Sequence, residues 1–330
     1  MSSRGSIDRF LQRVESGDYF ARLVNHPAPH RLRTAPRIVY HSTLHHHEPQ
    51  LTVVTPTFNY ESIIRDYIDA TAAAASVPFD WIIVDDGSQD GTAERARTIF
   101  ESTPYPLVAR ATILRNPVPI FETACDNIGF TLAETDVIVE IQGDIQVREP
   151  GYDACFLRML ASRPAPSAVS GRCGHTFMHL RRSSLGRWFE PAGHLVGLWG
   201  RTIDTPDRVH AIKGKVYRCE TVNRGPWALR KTDLDRHGYL DEKYFFLGND
   251  DHDYHRRLFE GEGRRPLYVP MSIHAPRTLG ASRRARTGDN QTVYDMLKRE
   301  KTGSPGFLAF LASLTSCSPP EEVMVAPASP

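Results

Sequence analysis

The chain has 330 residues, 40% of them hydrophobic and 24% charged, with a formal net charge of +1. This is a globular composition, long enough for one large domain or two ordinary ones, and its charge balance excludes a bulk affinity for nucleic acid or membrane surfaces. Cys125, Cys155, Cys173, Cys219 and Cys317 are odd in number with no CxxC pair, which predicts reduced thiols in a cytoplasmic protein.

The opening MSSRGSIDRFLQRVESGDYF lacks the apolar stretch of a secretory signal, and no run approaches the ~18 apolar residues of a membrane span. Residues 1–50 read as an extension with a helix over 6–24 and then a Pro/His-rich linker. His45, His46 and His47 are consecutive, so their side chains diverge and are taken as linker. From residue 51 the pattern becomes regular. LTVVTPTF (51–58) is a β-branched apolar strand, and Ile64, Ile68, Thr71 and Ala75 recur at helical spacing. WIIVDD (81–86) is a second strand, broken by GSQDGT before a helix over 93–101. A third strand lies within 107–115, Phe121, Cys125, Ile128 and Leu132 mark a helix, and VIVEIQ (137–142) is a fourth strand. Strands alternating with helices predict an α/β fold with a mostly parallel central sheet flanked by helices.

Past 145 the alternation loosens. A helix is expected over 151–162, an aperiodic Pro/Ser/Gly/Arg-rich stretch over 163–187, and paired strands within VHAIKGKVYRCETV (209–222). A helix over 250–260, a strand at LYVP (267–270) and a disordered SPPEEVMVAPASP tail complete the chain. The organisation expected is an extension (1–50), two halves of one α/β domain (51–145 and 146–280), and a basic loop with C-terminal helices and tail (281–330).

In open α/β sheets ligands bind beyond the carboxyl ends of the strands. Polar clusters stand at three such ends: TPTFNYE, DDGSQDGT and QGDIQ. Neither a GxGxxG after a strand nor a GxxxxGK[ST] is present, so a nucleotide would be held by carboxylates and a metal rather than by a glycine cradle. A fourth cluster is FFLGNDDHDYHRRLF (245–259), where the apolar brackets around the acids suggest the edge of a core rather than a solvated face. Asn249 is expected to cap a helix whose first turn holds Asp250 and Asp251, with Asp251, Tyr254 and Leu258 on the inward face.

LTVVTPTFNYE, WIIVDDGSQDGT and GNDDHDYHRR, in this order and spacing, resemble glycosyltransferase family 2, inverting enzymes of the GT-A fold that use nucleotide-diphosphate sugars. The resemblance covers roughly 51–275. It implies that Thr55, Pro56, Asn59 and Glu61 line the nucleotide side and that Asp85 or Asp86 accepts hydrogen bonds from base or ribose; the bland alternative is a tight DG turn. The metal motif, DxD, is departed from: Gln142-Gly143-Asp144 keeps only the second acid. Asp144, with His274 after a late strand, would hold Mn2+ or Mg2+, and Gln142 would bond ribose; a plain turn and a structural histidine are the alternatives. The acidic cluster resembles the family's catalytic motif, [ED]DxD followed by an arginine, here Arg257. Asp251 would be the general base and Asp250 would orient the acceptor, with one residue of uncertainty in the alignment; Asp253, the third acid, would join the acceptor side. Trp227 and Arg230, within RGPWALRKTDL, would face an acceptor sugar and a phosphate, although Trp is equally an ordinary core residue. ASRRARTGDN (281–290) is either a basic loop over the diphosphate or a solvated one.

The function implied is metal-dependent, inverting transfer of a sugar from a UDP-, GDP- or dTDP-sugar to a saccharide or lipid-linked saccharide, with no nucleic acid partner and a homodimer left open. A sugar-phosphate nucleotidyltransferase would need a glycine-rich basic loop after the first strand, which TPTFNYE lacks. An inactive carbohydrate-binding homologue is suggested by the missing first acid, and the intact DDHD cluster argues against it.

Overall fold

The computed structural model describes residues 36–178, 180, 195–196, 208–209, 212–242, 244–274, 294 and 304–324. Its strands are β1 (Arg37–Thr43), β2 (Leu51–Thr57), β3 (Phe79–Asp85), β4 (Val108–Arg115), β5 (Val137–Glu140), β6 (Gln146–Val147), β7 (Val169–Ser170), β8 (Gly174–His175), β9 (Leu195–Val196), β10 (Arg208–Val209), β11 (Val216–Arg218), β12 (Thr221–Val222), β13 (Trp227–Arg230), β14 (Leu267–Tyr268), β15 (Ile273–His274) and β16 (Glu321–Val323). The helices are α1 (Ile64–Ala74), α2 (Thr92–Ser102), α3 (Glu122–Leu132), α4 (Tyr152–Leu160), α5 (Lys231–His237), α6 (Asp250–Glu262) and α7 (Pro305–Ser313).

The main sheet has the order β1-β4-β3-β2-β5-β13-β7-β14-β11-β16. Strands β4, β3, β2 and β5 are mutually parallel, and β13 joins β5 antiparallel with Trp227 opposite Glu140. From β2 the chain runs outward through β3 and β4, then crosses back to place β5 on the other side of β2. That reversal opens a crevice at the carboxyl ends of β2 and β5, the place where such sheets take ligands.

Every residue of β2 and β3 is buried, because helices cover both faces of the sheet. Alternate residues divide between two cores. Val54, Ile82 and Ile138 pack with α3 and with Tyr254 and Leu258 of α6. Val53, Ile83 and Val139 pack with Ile64, Ile68, Ala96, Ile99 and Phe156 of α1, α2 and α4. A satellite cluster joins Phe307, Phe310 and Leu311 of α7 to Phe177 and Phe245.

Three expectations are corrected. Residues 37–43 are not linker: RIVYHST pairs antiparallel with β4 and closes one edge of the sheet. Glu321–Val323 is not disordered: it pairs with β11 and closes the other edge. The stretch 209–222 forms strands that do not pair with one another, since β11 lies between β14 and β16 while β12 pairs with β8. The expected helix over 6–24, the loop 281–290 and most of 179–207 lie outside the described residues.

Helix α3 lies close against the sheet at Gly129, where a Cβ would stand 2.2 Å from Val54 Cγ1. Gly129→Ala should therefore destabilise the fold by about 1–3 kcal/mol, despite the better helix propensity of alanine. Denaturant unfolding checks this. In the double variant with Val54→Ala, the loss should fall short of the two single losses added together by about 0.5 kcal/mol or more.

Candidate active site

The loops after β2 and β3 are laced together. Asn59, at φ 55°, accepts from Gln89 N–H (2.8 Å) and donates its own N–H to Ser88 Oγ (2.9 Å). Glu61 accepts from Gly91 N–H at 3.1 Å and donates its N–H to Asp90 at 3.1 Å. Thr55 turns to the other side of the sheet, where its hydroxyl meets Tyr67 Oη (2.6 Å) and accepts from Trp81 Nε1 (3.0 Å). Pro56 is buried beside it in β2.

Asp85 and Asp86 face inward. Asp85 accepts from Ser88 N–H at 3.2 Å and lies 3.5 Å from Arg115 Nε; burial pushes its carboxyl up to about 6, against the pull of the Ser88 hydrogen bonds and Arg115. Asp86 accepts from Ile120 N–H (2.7 Å), Phe121 N–H (2.9 Å) and Asn116 Nδ2 (3.1 Å), while burial raises it to about 7. Phe121 has φ 71°, a left-handed backbone that costs a bulky residue of order 1–3 kcal/mol unless its surroundings fix it. Asp86 fixes it, and so aims the first turn of α3 at the crevice.

At the end of β5, Gly143 lets the turn close on β2. A Cβ there would lie 2.9 Å from Thr57 Cγ2, and its N–H reaches Pro56 O at 3.3 Å. Gln142 spans the crevice: its Nε2 donates to Glu122 Oε1 and its Oε1 accepts from Arg172 Nη1 at 3.0 Å. Asp144 is half-buried two residues before β6, whose Gln146 stands opposite the exposed His274 of β15. Among the described residues no group of three or more His, Cys, Asp or Glu is placed to hold a metal ion. A single carboxylate and an imidazole fit a divalent ion only if the donor's diphosphate brings the remaining oxygens.

The acids of α6 are buried around an arginine that sequence reasoning missed. Arg224 Nη1 lies 2.5 Å from both Asp126 Oδ2 and Asp250 Oδ2, and Nη2 lies 2.9 Å from Glu122 Oε2. Its backbone N–H donates to Asp251 Oδ2 at 3.0 Å. Below it, Glu140 is fully buried and neither carboxylate oxygen has a hydrogen-bond partner. The protonation states consequently split. Burial, with Glu122 and Asp250 adding repulsion against the pull of Arg224, raises Glu140 to about 8. Burial raises Asp250 to about 7, Arg224 opposing it and Asp251 adding to it. Asp126 is likewise raised by burial. For Asp251 burial is outweighed by His252, by Arg224 and by the amides of Arg224 and His252, which hold it down at about 2. Asn249 makes no side-chain capping bond; it enters α6 at φ 67° in the left-handed region, and the His252 N–H is taken by Asp251 itself at 2.8 Å.

Other expected residues fall elsewhere. Asp253 is buried against Arg256 Nη2 (2.8 Å) and Arg257 Nε (3.1 Å), and Arg257 donates to the carbonyls of His237, Gly238 and Tyr239. That pair fastens the turn after α5. Trp227 has no exposed surface and packs edge-on against Tyr254 and His255, so no face is open to a sugar. Arg230 donates to the carbonyls of Leu160 and Pro166 and lies 3.4 Å from Asp233, inside the fold. The structure thus brings together Gln142, Asp250 and Asp251 with the unforeseen Glu122, Arg172 and Arg224. The one available signal was Glu122 and Asp126, four residues apart and so on one face of α3. A cavity of about 540 Å3 lined by His45, His46, His47, Arg110, Glu134 and Asp136 lies at the amino end of the parallel strands, away from these loops.

An open sheet with its switch point ringed by carboxylates is the setting in which α/β enzymes take their ligands. Residues 52–191 match the family model described as glycosyl transferase family 2. The similarity is to this segment of the chain, and it supports a glycosyltransferase activity. No curated protein matches the chain. Solved structures similar to it include the mannosyltransferase PcManGT from Pyrobaculum calidifontis in complex with GDP-Man and Mn2+, at 17% identity over 93% of this chain and 77% of that one, TM-score 0.49. Others are S. aureus TarS 1–349, at 15% identity over 80% and 70% with TM-score 0.49, and the same protein with UDP-GlcNAc, at 14% over 80% and 71% with TM-score 0.46.

The raised carboxyls carry a pH signature. Glu140, Asp250, Asp86 and Asp85 hold protons more tightly folded than unfolded, so the native state binds extra protons between about pH 4 and 8 and loses stability as pH rises through that window. Asp251, whose pKa is lowered, acts oppositely and only below about pH 4. Tm should therefore rise as pH is lowered from about 8 to 5. Glu140→Gln should flatten that slope and add on the order of 1–3 kcal/mol at pH 8. Thermal unfolding across pH measures both; an unchanged slope in the variant would show that Glu140 does not titrate there.

Proposed function

We propose that the chain is an inverting glycosyltransferase that moves a sugar from a nucleoside-diphosphate sugar to a hydroxyl of a saccharide or lipid-linked saccharide. The observation that carries this is the pair of adjacent carboxylates at the start of α6 beside the crevice of β2 and β5, Asp250 pushed up by burial and Asp251 held down by the amides and charges around it. Asp251, 6% exposed and ionised, is the general base. Its two oxygens are oriented by the N–H groups of Arg224 and His252. It takes the proton of the acceptor hydroxyl as that oxygen bonds to the anomeric carbon and the bond to the diphosphate breaks, with inversion in one displacement. Asp250, fully buried against Arg224 and Thr123, orients Asp251 and the loop that carries it.

The nucleoside lies along the loops after β2 and β3, with Asn59 and Glu61 at its edge and Gln142 toward the ribose. Asp144 and His274 would hold Mn2+ or Mg2+ together with diphosphate oxygens, where the ion would counter the charge of the leaving group. The free state of all five thiols and the lack of any helix long and apolar enough to cross a membrane among the described residues fit a cytoplasmic setting, which belongs to the same reading.

Asp251→Asn keeps shape and removes the proton acceptor, so transfer should fall by about 10²–10⁴-fold while donor binding survives. Transfer and donor hydrolysis in Asp251→Asn and Asp250→Asn decide the assignment. Near-normal transfer in the first with none in the second would move the base to Asp250. Normal transfer in both would sink the mechanism. Asp144→Ala should separately abolish the Mn2+-dependent part of nucleoside-diphosphate binding, measured by calorimetry with and without EDTA, and His274→Ala should weaken it less.

A further inference from the structure

The diphosphate of the donor must enter beside Glu122 and Asp251, and negative charges brought together in a partly desolvated site repel. Arg224 does not serve an incoming anion, because it is buried and engaged by three carboxylates. Arg115, at the end of β4, is likewise occupied by Glu94, Asp85 and the Ser88 carbonyl.

Arg172 differs from both. It sits half-buried on the turn between β7 and β8, and its Nη1 donates to Gln142 Oε1 (3.0 Å) and to the Arg224 carbonyl (3.2 Å). Those acceptors are neutral, and the acid that feels its charge, Glu140, makes no hydrogen bond to it. Its Nε and Nη2 make no hydrogen bond among the described residues. Gln142 explains how this is kept. Its amide bridges Arg172 on one side and Glu122 on the other, holding cation and acid apart. An aspartate at 142 would instead pair with the guanidinium and neutralise it.

We propose that Arg172 is a binding residue for the diphosphate of the donor, supplying positive charge at the strand end where the first acid of the metal motif is replaced by Gln142. The inference rests on the glycosyltransferase reading above. A planar guanidinium whose Nε–Nη2 edge is unengaged suits bidentate recognition of phosphate oxygens. Its charge also makes donor binding only partly dependent on a metal.

The test is calorimetric titration of UDP and GDP, in EDTA and in Mn2+, into wild type, Arg172→Met, Arg172→Lys and Gln142→Asp. Arg172→Met retains the apolar stem, and unfolding curves of each variant show that it is folded. In EDTA, Arg172→Met should bind the preferred diphosphate about 10–100-fold more weakly, with Arg172→Lys between it and wild type. Gln142→Asp should lose affinity in EDTA and recover it in Mn2+, because the new carboxylate ties up Arg172 and recruits metal. Arg172→Met binding as tightly as wild type in EDTA would overturn the inference and leave the glycosyltransferase reading standing. Wild type binding neither diphosphate under either condition would overturn both.

Discussion

The buried guanidinium of Arg224 is the interaction on which the site depends. It gathers Glu122 and Asp126 from α3 and Asp250 from α6, and its amide holds Asp251, so two helices and the entry to β13 meet at one side chain. Such clusters are poor sources of stability, since removing ions from water costs several kcal/mol each and one cation cannot balance this many acids. The fold meets the imbalance by protonation: Glu140, Asp126 and Asp250 shift upward, and Asp251, the acid best supplied with donors, remains charged. Loss of Arg224 would leave the acids to repel one another and free the start of α6.

A second constraint feeds the first. The DDGS sequence resembles a nucleotide motif, yet in the fold Asp86 spends its carboxylate on the amides of Ile120 and Phe121. Those bonds hold the left-handed Phe121 and start α3 at Glu122, the residue that meets both Gln142 and Arg224. The motif therefore acts on the crevice at one remove, by directing a helix. Asn59, Glu61 and Asp90 extend the same device by binding the β2 and β3 loops to each other.

What was legible in the sequence follows from this physics. Strands β2 and β3 were plain because burial on both faces demands continuous β-branched runs, and α1, α2 and α3 because one apolar stripe each must face the sheet. The edges were opaque: β1 is partly exposed along its length and β16 is three residues of mostly exposed chain, so neither carries a two-residue period strong enough to read. In the second half, strands of two to four residues are set by their partners and not by pattern. The acidic start of α6 was readable as a site, but Arg224 and Arg172 were not. Each lies in a turn, and only the crossing of distant elements brings Arg224 to Asp250 and Arg172 to Gln142, 26 and 30 residues away. Trp227 and Arg230 show the converse, residue types that attract a functional reading but whose surroundings are all protein.

These features order charge by depth. At the base of the crevice Glu140 has no hydrogen-bond partner and is pushed up by burial; above it Arg224 is met by three acids; at the mouth the contacts of Arg172 are an amide and a carbonyl. A glutamine at the end of β5 is the residue that makes this gradient possible. It donates to an acid and accepts from a base in the same plane, which neither an aspartate nor an apolar side chain does. On the proposed reading, a glutamine in place of an acid at 142 redistributes charge around the diphosphate.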